Sequence, residues 1–193
     1  MKIAIVDYGT GNIWSVQLAL QRLGMESSLT SSVDELLAAD KVIFPGVGEA
    51  SSAMEQLQNS GLDRIIPKLE CPILGICLGM QLMCRFSEEG NTSGLGIFPV
   101  DVKRFTTEVK VPHMGWNTIT DLKTPLFNGC QESEYMYLVH SYYAPIAPET
   151  IAVCDYGQSF SAALHKNNFY GVQFHPEKSG AMGARVLENF LKL

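Results

Sequence analysis

Over the first half of the chain, short continuous apolar runs alternate with stretches whose apolar residues recur every three or four positions. The first kind fits buried strands and the second fits amphipathic helices. Residues 2–7 and 27–30 read as strands, with a helix over 12–23 between them and Gly24 placed to close it. Ser32-Val33-Asp34-Glu35 has capping-box spacing and starts a short helix. Residues 41–44 form the next strand, ended by Pro45-Gly46-Val47-Gly48, and helical patterns follow over 50–58 and 62–69. Pro72-Ile73-Leu74 then leads another strand into Gly75-Ile76-Cys77. Strands separated by helices imply a parallel sheet covered on both faces.

The second half changes character. Residues 97–104, 116–120, 135–139, 151–154, 159–165 and 169–174 read as strands with turn residues between them. They are expected to extend the sheet with antiparallel strands and to add a side layer. Residues 179–193 close the chain as a helix, with Ala181, Ala184, Val186 and Leu187 toward the core. A chain of 193 residues supports one well-packed core rather than two. The expectation is one α/β domain over residues 1–193, with a mostly parallel central sheet flanked by helices and added antiparallel strands in the second half.

Within this pattern, Gly75-Ile76-Cys77-Leu78-Gly79 stands where a buried strand turns into a helix. Small residues on both sides of a cysteine allow the strained turn of a nucleophile elbow, which exposes one side chain. The helix N-terminus favours the thiolate there. A lone cysteine is more often a small buried hydrophobe, the reading given to Cys71, Cys84, Cys130 and Cys154. Far downstream, Phe174-His175-Pro176-Glu177 supplies a base and an acid two positions apart. If Pro176 holds the segment extended, both side chains point to one face. Cys77, His175 and Glu177 then make a complete nucleophilic triad. The other histidines, His113, His140 and His165, have no carboxylate so placed. Gly46, Val47 and Gly48, one βα unit earlier, and the N–H of Leu78 are positioned to form an oxyanion hole. The histidine precedes the acid by two residues, an order that disfavours a cysteine-variant α/β-hydrolase.

Composition narrows the remaining classes. The formal net charge is −6 with no basic stripe, so nucleic acid is not an expected partner. No apolar run approaches the roughly 18 to 20 residues of a membrane span, and the first apolar run is too short for a signal peptide. The five cysteines are scattered, with neither zinc spacing nor a disulfide framework, which points to the cytoplasm and to no bound metal.

Gly75-Ile76-Cys77-Leu78-Gly79-Met80-Gln81, Pro45-Gly46-Val47-Gly48 and Gly171-Val172-Gln173-Phe174-His175-Pro176-Glu177-Lys178-Ser179 resemble the class I glutamine amidotransferases. These are Cys-His-Glu enzymes on a flavodoxin-like sheet that release ammonia from glutamine for a synthase partner and use no cofactor. Pro112-His113-Met114-Gly115-Trp116-Asn117, Val139-His140-Ser141-Tyr142-Tyr143 and the opening Asp7-Tyr8-Gly9 with Gly11-Asn12-Ile13 look like the glutaminase subunits of imidazole glycerol phosphate synthases, in histidine biosynthesis. The resemblance implies that Cys77 attacks the glutamine amide, His175 moves the protons and Glu177 orients His175. It implies that Gln81 and the main chain of His140, Ser141 and Tyr142 hold the amino-acid end of the substrate. It also implies a TIM-barrel cyclase subunit as partner, docked near Asn12, Met114, Trp116, Asn117 and Lys178. A glutaminase of another ammonia-using synthase, of pyridoxal phosphate or anthranilate synthase type, remains the alternative. A redox sensor would not need Glu177, Gln81 or the glycine strand, and a cysteine peptidase has no reason to carry Gln81.

Overall fold

The computed structural model describes residues 1–9, 13–106 and 108–193. The described elements run β1 (Ile3–Val6), α1 (Ile13–Arg22), β2 (Ser28–Thr30), α2 (Val33–Leu37), β3 (Lys41–Gly46), α3 (Ala50–Ser60), β4 (Ile73–Cys77), α4 (Leu78–Met83), β5 (Cys84–Ser87), β6 (Thr92–Ser93), β7 (Phe98–Arg104), β8 (His113–Ile119), β9 (Glu134–His140), β10 (Tyr142–Tyr143), β11 (Thr150–Asp155), β12 (Ser159–Lys166), β13 (Phe169–Val172) and α5 (Gly180–Lys192). A 7-stranded sheet has the order β11-β12-β13-β4-β3-β1-β2. Its strands from β2 to β13 are parallel, while β12 and β11 continue the sheet antiparallel. The side layers are a 4-stranded sheet of β10-β7-β5-β6 and an antiparallel β8-β9 ribbon. Paired backbone bonds between Thr120 and Val153 fasten the ribbon to β11.

Alternation along the strands divides the core into two layers. Ile3, Ile5, Leu74 and Ile76 pack with Val16 and Leu20 of α1 and with Val186, Leu187 and Phe190 of α5. Ala4, Val6, Val42 and Phe44 pack on the other face with Leu36, Leu57 and Met80. Local signals set several element ends. Gly24, at φ 74, closes α1 as Met25 N–H donates to the Leu20 carbonyl at 3.0 Å. Ser32 accepts from Glu35 N–H at 3.4 Å and caps α2.

Several expectations are corrected. The helix expected over 62–69 is two short 3-10 turns, Leu62–Arg64 and Ile66–Lys68, because Pro67 cannot donate to a continuing helix. In α5 the buried row is Gly183, Val186, Leu187 and Phe190, whereas Ala181 is exposed and Ala184 half-buried. Gly183 lies there because a Cβ would collide with the Pro176 carbonyl. Strands β5 and β6 have no counterpart among the expected elements. Helix α4 stops after Met83 because the Leu82, Met83 and Cys84 carbonyls accept from Leu95, Ile97 and Gly96 instead. The first position of the predicted helix over 12–23 lies outside the described residues.

Candidate active site

Parallel strands place their C-terminal ends together, and register decides what meets there. Gly46, the last residue of β3, pairs with Cys77, the last of β4. Val172, the last of β13, pairs with Ile76, so the segment Gln173-Phe174-His175 emerges beside the cysteine. This is the crevice at the carboxyl edge of an α/β sheet, where ligands bind in such folds.

Cys77 has φ 54 and ψ −110, a conformation that costs a non-glycine residue about 1–3 kcal/mol. Close backbone packing enforces it. A Cβ on Gly46 would lie 2.6 Å from the Gly79 amide nitrogen and 2.9 Å from Leu78 Cβ. A Cβ on Gly75 would lie 2.9 Å from the Met80 amide nitrogen, and one on Gly79 would overlap the Phe44 carbonyl. The glycines thus bring β3 against the start of α4, and Tyr8 Oη holds the end of β3 by donating to the Pro45 carbonyl at 3.0 Å. Helix α4 has only 6 residues and Cys77, at its N-cap, makes no side-chain cap hydrogen bond, so the helix contributes less to the sulfur than the sequence led us to expect.

His175 Nδ1 lies 2.9 Å from Glu177 Oε1, with both side chains buried. The pairing does not come from an extended segment, as the sequence led us to expect. Only His175 is extended; Pro176–Lys178 form a 3-10 turn that brings Glu177 back under the ring. Pro176 favours this because its fixed φ suits the first position of a turn. Ser179 clamps the segment, donating to the His175 carbonyl at 2.6 Å and accepting from Tyr137 N–H at 3.0 Å. His175 Nε2 faces Cys77. Burial disfavours the imidazolium, but Cys77 and Glu177 on either side outweigh it and push His175 up to about 10.

Cys77, Leu78, His175, Val47 and Gly48 line a cavity of about 280 Å³ together with Gln81, Ser141 and Tyr142. Gln81, buried, donates from Nε2 to the Tyr142 carbonyl at 2.9 Å and to Gln173 Oε1 at 2.8 Å. The His140 ring points away from chemistry: Nδ1 donates to the Tyr142 carbonyl at 2.7 Å and Nε2 accepts from His113 Nδ1 at 3.0 Å. Burial lowers both rings, His113 to about 4 and His140 to about 3, so the pair is neutral at physiological pH. His165 lies apart, stacked on Tyr170. A larger groove of about 570 Å³ lies at the opposite end of β1 beside Lys2, Ser28 and Glu35, and its described lining includes neither cysteine nor histidine.

Sequence reasoning missed two residues here. Glu89 is the one carboxylate lining the cavity among the described residues, and it accepts from Ala50 N–H at 2.9 Å. Burial raises its pKa. Its sequence neighbourhood, Ser87-Glu88-Glu89-Gly90, gives no signal that separates it from a surface acid. Gln173 is fully buried and reaches Cys77 Sγ. It sits within a motif that marks the family, but its role depends on which way its carboxamide turns.

The expected docking residues separate. Met114 and Trp116 are 64% and 55% exposed on one face of β8, continued by Tyr135 at 59% on β9. That face runs through Tyr137 to Val139, whose carbonyl lies 3.8 Å from Cys77 Sγ. Lys178 is exposed at the cavity rim. Asn117 is half-buried and committed: its Nδ2 donates to the Asp155 carbonyl at 2.9 Å. Asn12 lies outside the described residues. Trp14, 71% exposed on α1, is not among the docking residues the sequence suggests.

A cysteine elbow with an acid-oriented histidine, on a flavodoxin-like sheet, is the arrangement of a hydrolase with a cysteine nucleophile. The chain belongs to the class I glutamine amidotransferase family, whose model matches residues 4–193. Relatives narrow this further. The chain is 61% identical to the imidazole glycerol phosphate synthase subunit HisH of Bacteroides fragilis strain YCH46 and 47% identical to the protein of that name from Escherichia coli K12, each over 100% of both chains. Among solved structures, a glutamine amidotransferase matches with TM-score 0.77 at 17% identity, over 98% of this chain and 97% of that one. The structure of PurLQS from Thermotoga maritima matches with TM-score 0.75 at 18% identity, over 99% and 97%. Both likenesses concern the fold.

Proposed function

We propose that this chain hydrolyses glutamine to glutamate and ammonia, and that it passes the ammonia to a TIM-barrel cyclase subunit that makes imidazole glycerol phosphate and an aminoimidazole carboxamide ribotide. The observation that carries the chemistry is His175 held between Glu177 at 2.9 Å and the elbow sulfur of Cys77. His175 takes the thiol proton as the sulfur attacks the side-chain carbonyl carbon of glutamine. The carbonyl oxygen takes up the electron pair and is held by N–H groups of Leu78 and of the Gly46-Val47-Gly48 segment. As the C–N bond breaks, the imidazolium gives its proton to the departing nitrogen and a glutamyl thioester remains. Water, deprotonated by His175, then attacks the thioester, and the C–S bond breaks to release glutamate and restore the thiol. Glu177 keeps the imidazole in one tautomer and stabilises its cation. Gln81 and the main chain of His140, Ser141 and Tyr142 receive the amino-acid end. The α-ammonium group needs an anion, and Glu89 supplies it. Met114 and Trp116 on the exposed face of β8, and Lys178 at the cavity rim, are the docking residues for the cyclase. The scattered cysteines fit a cytoplasmic enzyme.

The test is ammonia release from glutamine by the purified chain, alone and with the cyclase subunit and its nucleotide. Low activity alone and a large rise with the liganded partner are expected, since Gly48, at φ 97 and not packed like Gly46, permits the adjoining oxyanion-hole peptides to reorient at little steric cost. Activity indifferent to that partner would assign the glutaminase to another synthase.

Three smaller predictions attach to this site. Glu177→Gln keeps the shape but reverses the preferred tautomer, so kcat should fall by about 10²- to 10³-fold with the fold intact by circular dichroism. Glu89→Gln still caps Ala50 N–H but loses its charge. The KM for glutamine should rise about tenfold with kcat nearly unchanged, by steady-state kinetics. His175 also predicts a pH dependence. Its folded pKa is raised from 6.5 to about 10, so its stabilising contribution is complete below about pH 6.5 and is lost as pH rises through 10. Thermal unfolding between pH 6.5 and 10 should therefore show a steeper loss of Tm in the natural chain than in His175→Gln.

A further inference from the structure

Gln173 lies just past the end of β13, is fully buried, and its backbone N–H donates to the Ala162 carbonyl at 2.8 Å. A buried carboxamide has to satisfy both its ends. Gln173 Oε1 accepts from Gln81 Nε2 at 2.8 Å, and its Nε2 lies 3.6 Å from Cys77 Sγ, within reach of an N–H···S bond.

Which end faces the sulfur is decided by a group that has no choice. The Tyr142 carbonyl can only accept, so Gln81 must turn its NH₂ toward it. The same NH₂ then requires an oxygen from Gln173, and the Gln173 NH₂ is left pointing at Cys77. The same carbonyl accepts from His140 Nδ1, so His140 Nε2 must accept from His113 Nδ1. His113 Nε2 in turn lies 3.3 Å from the Asn117 amide. One backbone oxygen therefore fixes both branches: Asn117, His113 and His140 donate in turn toward it, while Gln81 donates to it and to Gln173, which donates on toward Cys77.

The neighbours of the sulfur make this matter. The Val139 carbonyl, 3.8 Å away, can accept from a thiol but repels a thiolate. Gln173 Nε2 does the reverse, since an N–H bond to a charged acceptor is roughly twice as strong as one to a neutral acceptor. We propose that Gln173 is a catalytic residue of this enzyme: its carboxamide, locked by Gln81 and the Tyr142 carbonyl, donates a hydrogen bond to the Cys77 sulfur and stabilises its anionic form. It thereby ties the nucleophile to the residue that receives the substrate. This inference rests on Cys77 being the nucleophile.

The experiment needs no glutamine. Iodoacetamide labelling of Cys77 is followed by peptide mass as a function of pH in the full chain and in Gln173→Met and Gln173→Glu, with thermal unfolding measured alongside. Gln173→Met should label Cys77 about tenfold more slowly at neutral pH, with the profile moved up by about one pH unit. Gln173→Glu still accepts from Gln81 but turns an oxygen toward the sulfur, and should be slower again. Either folded variant labelling at the natural rate overturns the proposal. Should neither variant fold, the unaltered chain decides by NMR. The Gln173 side-chain amide protons should shift with pH in the natural chain and not in Cys77→Ala, and the lack of a Cys77-dependent shift overturns it. If Cys77 of the natural chain labels no faster than half-buried Cys71, the nucleophile assignment itself fails, which separates the two readings.

Discussion

Replacing Cys77 by alanine is expected to reduce ammonia release from glutamine on the order of 10⁴-fold or more, because no other group can form the thioester. The companion variant Cys77→Gly should be equally inactive yet more stable than Cys77→Ala by about 1 kcal/mol. Alanine inherits the backbone at φ 54, whereas glycine adopts it without strain. The pair of variants separates two properties of one position. Activity belongs to the sulfur, and strain belongs to the turn that presents it. Equal Tm values for the two variants would show that the elbow is relaxed, and residual activity in either would remove Cys77 from the reaction.

The second large effect is expected away from any reacting atom. A methyl group on Gly79 would occupy the place of the Phe44 carbonyl oxygen, with the Pro45 carbonyl carbon 3.4 Å away. These are backbone atoms of a central strand, so neither can swing aside. Gly79→Ala should cost about 3 kcal/mol, near the top of the range for overpacking, which lowers Tm by roughly 10 °C in a chain of this size. It should also lower glutaminase activity about 100-fold, because β3 carries the Gly46–Gly48 segment that faces Cys77, and a shift near 1 Å is enough to misplace it. Gly24→Ala is the control. Among the described residues nothing lies within 4 Å of an added Cβ, so only the φ of 74 is penalised, by about 1 kcal/mol, and activity should be unaffected. A stable and active Gly79→Ala would mean that β3 and the elbow are not rigidly joined.

Most of the reacting groups are legible in the sequence alone, and the reason is local. The turn at Cys77 is written in the glycines on either side of it, and His175 and Glu177 stand close enough in the chain for any compact backbone to bring them together. Even so, the sequence misleads about the conformation that joins them. Pro176 opens a 3-10 turn rather than prolonging a strand, since proline's φ suits both and only the clamp of Ser179 on the His175 carbonyl and Tyr137 N–H selects between them. Glu89 is hidden for a different reason. Its value lies in being near Cys77 and in holding the start of α3, and neither is a property of its own segment.

Periodicity and punctuation in the chain are sufficient to establish the alternation of strands and helices, the elbow and the triad, because each signal is carried by residues within a few positions of one another. Register and orientation lie beyond them. That Gly46 meets Cys77, that Gln173 emerges beside the sulfur, and that its carboxamide turns its N–H inward follow from the pairing of β3, β4 and β13 and from one carbonyl, that of Tyr142. Those contacts join residues 31 to 96 positions apart. They are chosen by simultaneous packing and by the requirement that every buried polar group find a partner, conditions that exist only once the chain has folded.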